Sequence, residues 1–219
     1  MNATKFPRTY HLPFSEGRSS DDKILKSLEH LEGEEIVITE KMDGENTTLY
    51  SDRMHARSLD SQHNYTRDWV KRMHSVICHE IPQGWRVCGE NLAYYHSISY
   101  KDLDSFFYLL SVWNEDNVCL SWDDTVQWAQ LLDLAQPKIF YRGVFSIDEM
   151  LKLKDSLDPE KVEGFVGRFT RSFPYNEYGK NVFKYVRAGH VNTGADHWLK
   201  TTYPNELRKD GTIKPTFME

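Results

Sequence analysis

Apolar and polar positions change period several times along this chain. Residues 35–39 alternate around Ile36 and Ile38, the period of a half-buried strand. Asp43-Gly44 is a turn pair, and β character resumes over 47–50, so the pattern predicts a hairpin with Lys41 at its tip. Trp69, Val70, Met73, Val76 and Ile77 follow helical spacing until Pro82 and Gly84. Residues 85–88 predict a strand, and the continuous apolar run 106–113 predicts a buried one. Ser121 opens a helix through Leu134, stopped before Pro137. Ser146-Ile-Asp-Glu149 is a capping box for a short helix. Residues 162–170 and 181–187 predict two further strands around a bend rich in Pro, Asn and Gly. Upstream, Ser19, Ser20, Asp21 and Asp22 precede Ile24, Leu25 and Leu28, which predicts a capped amphipathic helix ended by Gly33.

Strands here do not alternate regularly with helices. That argues against a doubly wound parallel sheet and for an α+β fold with mixed, largely antiparallel sheets and flanking helices. With no linker, repeat or low-complexity tract, the chain divides into an N-terminal helical segment (1–34) packed on a core (35–190), then a short tail (191–219), in one structural domain.

Charge adds one exclusion. With 27 basic and 33 acidic residues the net charge is −6, which argues against a globally basic nucleic-acid binder. A local cationic cleft remains open, because net charge does not set the field in one groove. No apolar run approaches the roughly 18 residues of a membrane span, and the N-terminus lacks an apolar signal core. Cys78, Cys88 and Cys119 are too few and scattered for a disulfide framework. The expectation is a soluble, reduced, cytoplasmic monomer. His74 and His79 are not an i,i+4 metal pair, nor are His190 and His197.

The chemistry concentrates in Glu40-Lys41-Met42-Asp43-Gly44-Glu45-Asn46. A lysine directly after a strand presents an amine on a rigid tip. As a nucleophile it must lose its proton, which at an ordinary pKa costs roughly 4.6 kcal/mol at neutral pH. A neighbouring cation or metal lowers that cost. Alone, the segment is equally an ordinary hairpin with an Asp-Gly turn. Downstream, in order, come Arg57-Ser58, Gly89-Glu90, the aromatic strand 106–113, Glu163-Gly164-Phe165-Val166 and Phe183-Lys184-Tyr185-Val186-Arg187. No nucleophilic serine elbow and no P-loop accompany them.

This order resembles the motif series of the covalent nucleotidyltransferases: ATP-dependent DNA ligases, RNA ligases and capping guanylyltransferases. It is most similar to the small RNA ligases, the second-type phage enzyme and the kinetoplastid editing ligases. The resemblance implies a nucleotidyltransferase (ATP-grasp-like) domain, with ATP and magnesium (or manganese) as cofactors and RNA ends as partners. It implies that Lys41 attacks the α-phosphorus of ATP, and that Lys184 neutralises phosphate and lowers the pKa of Lys41. Glu40 would meet the adenine amino group, Arg57 and Glu90 the ribose, and Phe107 the base by stacking. Glu163 would bind the metal. Asp43 and Asn46 match positions that act after lysine adenylation, when AMP moves to an RNA 5′-phosphate and a 3′-hydroxyl displaces it. Arg187 would join the phosphate contacts, although Val186 stands where the family usually has its second basic residue. Arg8 to Gly17, followed by Asp21-Asp22, also looks like bacterial proteins classed as RNA ligases.

Two basic zones could carry RNA phosphates: Arg53, Arg57, Arg67, Lys71 and Arg72, and Lys180, Lys184, Arg187 and Lys200 with His190 and His197 nearby. The roughly 30 residues after Arg187 are too few for an OB barrel, so full sealing is expected to need a partner or another surface for RNA, and a separate RNA end-healing enzyme is a further candidate partner. Alternatives are a DNA ligase or capping-type enzyme, and a catalytically silent module that binds RNA or a nucleotide. Glu40 ahead of the lysine favours ATP over GTP.

Overall fold

Two sheets carry the architecture of the computed structural model, which describes residues 3–189 and 203–209. The first sheet contains β1 (Tyr10–His11), β2 (Glu35–Glu40), β8 (Ile139–Val144), β9 (Gly164–Phe169) and β11 (Val182–Val186), in the order β1-β11-β9-β2-β8. The second contains β3 (Glu45–Leu49), β4 (Met54–Ala56), β5 (Arg86–Asn91), β6 (Phe107–Trp113), β7 (Val118–Cys119) and β10 (Phe173–Pro174), in the order β10-β7-β6-β5-β3-β4. Named strands pair antiparallel throughout, except that β1 runs parallel to β11. This is the mixed α+β class expected from the pattern.

Helices cover the outer faces. Trp69, Val70, Met73 and Ile77 of α1 (Asp68–Ile77) and Ala129 of α2 (Trp122–Leu131) pack with Leu49, Val87, Phe107, Leu109 and Val112 of the second sheet. Met150 and Leu153 of α3 (Ile147–Ser156) pack with Ile36, Ile38, Phe165 and Phe183 of the first. Between the sheets, Trp113, Phe173, Val182 and Tyr178 of the short α4 (Tyr178–Asn181) form a smaller cluster. Each such side chain adds roughly 1.5–3 kcal/mol by leaving water. The predicted caps form: the Ser121 hydroxyl accepts from Asp124 N (3.1 Å) and that of Ser146 from Glu149 N. α2 stops at Leu131, short of Leu134, because Asp133 takes φ 49°, a left-handed conformation that ends a helix. Among the described residues, no helix is long and apolar enough to cross a membrane.

Two expectations are corrected. The segment around Lys41 is not a hairpin: β2 lies in the first sheet and β3 in the second. Asp43-Gly44 is a passage between sheets. A Cβ on Gly44 would lie 2.3 Å from the Asn91 carbonyl oxygen, so glycine is what lets β3 enter beside β5. Nor does a helix follow Ser19. Ser19 and Asp22 bond locally, Ser19 N to Asp22 Oδ2 at 2.9 Å, but the chain then flanks β1. His11 N donates to Lys23 O (2.8 Å) and Leu25 N to His11 O (2.9 Å). Tertiary pairing takes the backbone groups a helix needs, leaving one 3₁₀ turn, Glu29–Leu31. The N-terminal segment is therefore a strap with one strand in the first sheet.

Candidate active site

A cavity of about 360 Å³ opens between the inner faces of the two sheets. Lys41 enters it from the end of β2. Its backbone is gripped from both sides: Glu40 N donates to Lys138 O (2.8 Å) and Lys41 N to Gly164 O (3.0 Å). Its ammonium forms an ion pair with the buried carboxylate of Glu163, which immediately precedes β9. Burial opposes the charge on Lys41, but Glu163 and Glu90 outweigh it and raise its pKa. Lys184 projects from β11 into the same cavity. Burial and the charge of Lys41 lower its pKa. The expected effect of Lys184 on Lys41 is thus outweighed here by Glu163, and Lys41 is the protonated partner of a carboxylate.

The second sheet supplies the opposite wall. Asn46 on β3 and Glu90 on β5 are direct register partners. Burial pushes the Glu90 carboxyl up to about 8. Asn46 Nδ2 donates to Gly89 O (3.4 Å), while its buried Oδ1 has no partner. Glu40 and the exposed Arg57 complete the polar lining, and burial raises the pKa of Glu40.

Phe107 departs from its expected role. It is fully buried among Leu49, Trp69 and Leu109, on the face of β6 that meets the helices. A β-bulge explains which residues reach the cavity instead. Gly89 pairs with Leu109 and Cys88 with Ser111, so Leu110 is an extra residue opposite none. Leu110 and Ser111 consequently both line the cavity, and Leu110 offers the apolar surface that Phe107 cannot. Arg187 is also not brought in. It follows Phe183 and Tyr185 on the outer-facing parity of β11, and its Nε donates to Val162 O (3.3 Å). Asp43 lies outside the lining too. Its Oδ2 accepts from Ser97 N (2.7 Å), Ser97 Oγ (2.7 Å) and Ile98 N (2.8 Å), anchoring the loop after β5.

Several lining residues were given no role at a site by the sequence, although Arg8 and Asp22 belong to the stretch that resembles bacterial proteins classed as RNA ligases. Arg8, Ser19, Asp22 and Lys23 of the strap and the buried Arg168 of β9 all line the cavity. Much of the first basic zone is already paired: Arg67 forks onto Glu45 (2.6 and 2.5 Å) and Lys71 meets Asp68 (3.1 Å). His190, His197 and Lys200 lie outside the described residues.

Among the described residues, no group of three or more His, Cys, Asp or Glu is placed to hold a metal ion. The donor set nevertheless fits a phosphate-borne divalent cation. Magnesium keeps water and needs only one or two carboxylates beside phosphate oxygens, and Glu163 stands against the amine of Lys41.

Comparison with known proteins adds the family. The chain resembles a Naegleria gruberi RNA ligase lysine-to-alanine mutant with ATP and Mn at 17% identity and TM-score 0.54, covering 73% of this chain and 52% of that one. Against the same ligase with PPi the values are 16% and 0.54, covering 85% and 61%. An apo aspartate mutant of that ligase gives 16% and 0.55, with 84% and 57% covered. This chain therefore spans about half to three-fifths of the length of those structures, and at such identity the likeness is one of fold. No curated protein sequence matches. The RNA ligase family model matches residues 34–186, running from β2 to the end of β11 through every motif at the cavity, and the chain belongs to the RNA ligase family.

Proposed function

We propose that this chain is an ATP-dependent RNA ligase that works through a covalent lysyl-adenylate on Lys41. The observation that carries the reading is a cavity lined by Lys41 and Lys184 on one sheet and by Glu90 and Asn46 on the other, with Glu163 paired to Lys41. Lys41 first leaves Glu163 and passes a proton to solvent water. Its free amine then attacks the α-phosphorus in line, forming the P–N bond as the bond to pyrophosphate breaks. Lys184 neutralises the charge that grows on the phosphate oxygens. Glu90 and Arg57 hold the ribose, Glu40 meets the adenine amino group, and Leu110 packs on the base. Glu163 would hold a divalent cation, which would supply Lewis-acid neutralisation at the phosphates, and Glu163 so engaged would no longer keep Lys41 protonated. In the later steps an RNA 5′-phosphate oxygen takes the AMP from Lys41, and an RNA 3′-hydroxyl displaces AMP to seal the strand. Asn46, with its unpartnered buried oxygen, is poised for those steps, whereas Asp43 supports them by fixing the loop it anchors.

Incubation with α-labelled ATP and magnesium tests this directly. Wild type should carry label that resists denaturation, and Lys41→Ala should carry none. Equal labelling of the two proteins sinks the mechanism, and tight ATP binding without label would point to a nucleotide-binding module. Nicked RNA compared with nicked DNA then fixes the strand class.

A further inference from the structure

The strap between Tyr10 and Asp22 is absorbed by none of the roles above, yet it is built into the first sheet beside Lys184. β1 pairs with β11 so that His11 stands opposite Lys184 in register. Ser15 continues the attachment: its Oγ accepts from Val186 N (2.9 Å), and Gly17 N donates to Val186 O (2.8 Å). His11 is fully enclosed. Its Nδ1 lies 2.7 Å from Ser15 Oγ, while its buried Nε2, 3.4 Å from Asp22 Oδ2, makes no hydrogen bond. Asp22 is further fixed by Ser19, whose N and Oγ both reach Oδ2 at 2.9 Å. The remaining oxygen, Oδ1, faces Lys184 Nζ at 3.9 Å. If Asp22 served only the local turn, its bonds to Ser19 would suffice, and nothing would require it to line the cavity.

The charges around Lys184 make this contact matter. Lys41 and Arg57 repel its ammonium, Asp22 and Glu163 attract it, and His11 is held neutral by burial. Glu163 is engaged by Lys41, so Asp22 is the carboxylate that faces Lys184 from outside that pair. We propose that Asp22, held by Ser19, is a positioning residue for Lys184, and that the N-terminal strap is thereby a working wall of the cleft. The inference rests on the adenylyltransfer reading for its kinetic consequence but not for the contact itself.

A double-mutant cycle tests it. Asp22→Asn should lower the single-turnover rate of Lys41 adenylation about tenfold while the KM for ATP moves less than threefold, and Asp22→Glu should restore most of that rate. In a Lys184→Ala background, Asp22→Asn should cost almost nothing more, because residues acting through one another are not additive. Equal losses in both backgrounds would overturn the proposal. A second readout needs no activity: mass-spectrometric measurement of Lys184 acetylation by a soluble anhydride. Release from Asp22 should raise labelling of Lys184 at least threefold in folded Asp22→Asn. Unchanged labelling overturns the proposal, whether or not wild type forms an adenylate. Absence of the adenylate in wild type, with labelling raised, would instead reject the catalytic reading and leave the contact standing.

Discussion

The two walls of the cleft solve different problems. On the first sheet, the groups proposed to act on phosphate are already paired: Lys41 with Glu163, and Lys184 facing Asp22. On the second sheet, polar groups wait unsatisfied: Asn46 has a buried oxygen without a partner, and Glu90, proposed to meet the ribose, holds a proton that a solvated carboxylate would release. A wall of exchangeable ion pairs suits chemistry in which charge is created and moved. An under-satisfied polar wall suits recognition, since a ligand's hydroxyls remove a penalty of roughly 1–3 kcal/mol per buried group. Charge is stored on one side and hydrogen-bonding capacity on the other.

That division can be broken in measurable ways. The largest effect is expected on the first sheet. Lys184→Ala should lower the rate of Lys41 adenylation by about 10²–10³-fold, the scale of one lost electrostatic donor, with little change in discrimination between ATP and 2′-deoxy-ATP. Glu90→Ala should do the reverse: about a tenfold loss of preference for the ribose 2′-hydroxyl, in line with one hydrogen bond to a charged or polar group. Competition between the two nucleotides in the labelling assay reads both.

Stability against pH separates the walls more finely. The Glu90 pKa is raised from its ordinary 4.5 to about 8, so the folded state holds a proton that the unfolded chain has released. Its stabilising contribution is complete below about pH 4.5 and is lost as pH rises through 8. His11 runs the other way, lowered from 6.5 to about 4 by burial and by Lys184, so its contribution is present above 6.5 and is lost as pH falls toward 4. Thermal melts of the ligand-free protein should therefore decline between pH 6.5 and 8 by about 1–2 kcal/mol of stability, and Glu90→Gln should flatten that decline. His11→Asn should flatten the acid side only. The smallest effect concerns the base. Leu110→Ala should raise the KM for ATP about threefold, the scale of part of one apolar contact. Phe107→Leu should lower the melting temperature and leave KM unchanged; a larger KM effect at Phe107 would restore it as a stacking residue.

How much of this was legible beforehand depends on the kind of signal. Lys41, Glu163 and Lys184 come from three distant segments, and their order along the chain was enough to bring them together, because each sits in a short motif tied to a strand end. Helix caps at Ser121 and Ser146 were equally plain, since capping is local. Phe107 was not, because residues 106–113 are apolar throughout, and a strand buried on both faces has no alternation to reveal its orientation. The strap was missed for a different reason. Ser19 and Asp22 do form local bonds, but the following backbone is recruited by β1, and no local pattern encodes a partner in another part of the chain. Arg187 shows that adjacency in sequence is opposition in a strand: one step from Val186 places it on the far face.

The extra residue at Leu110 also bears on how this strand tolerates change. Before it, Phe107 and Leu109 face the helices; after it, Val112 does, while Ser111 and Trp113 turn inward. Were Leu110 retained in unbroken pleating, without the bulge, the two faces of half the strand would exchange, sending Trp113 toward the helices and Val112 into the cleft. Loss of position 110 would leave Ser111, Val112 and Trp113 opposite the same partners and on the same faces, so the register of β6 does not depend on the extra residue, and what that residue adds is side-chain surface at the cavity.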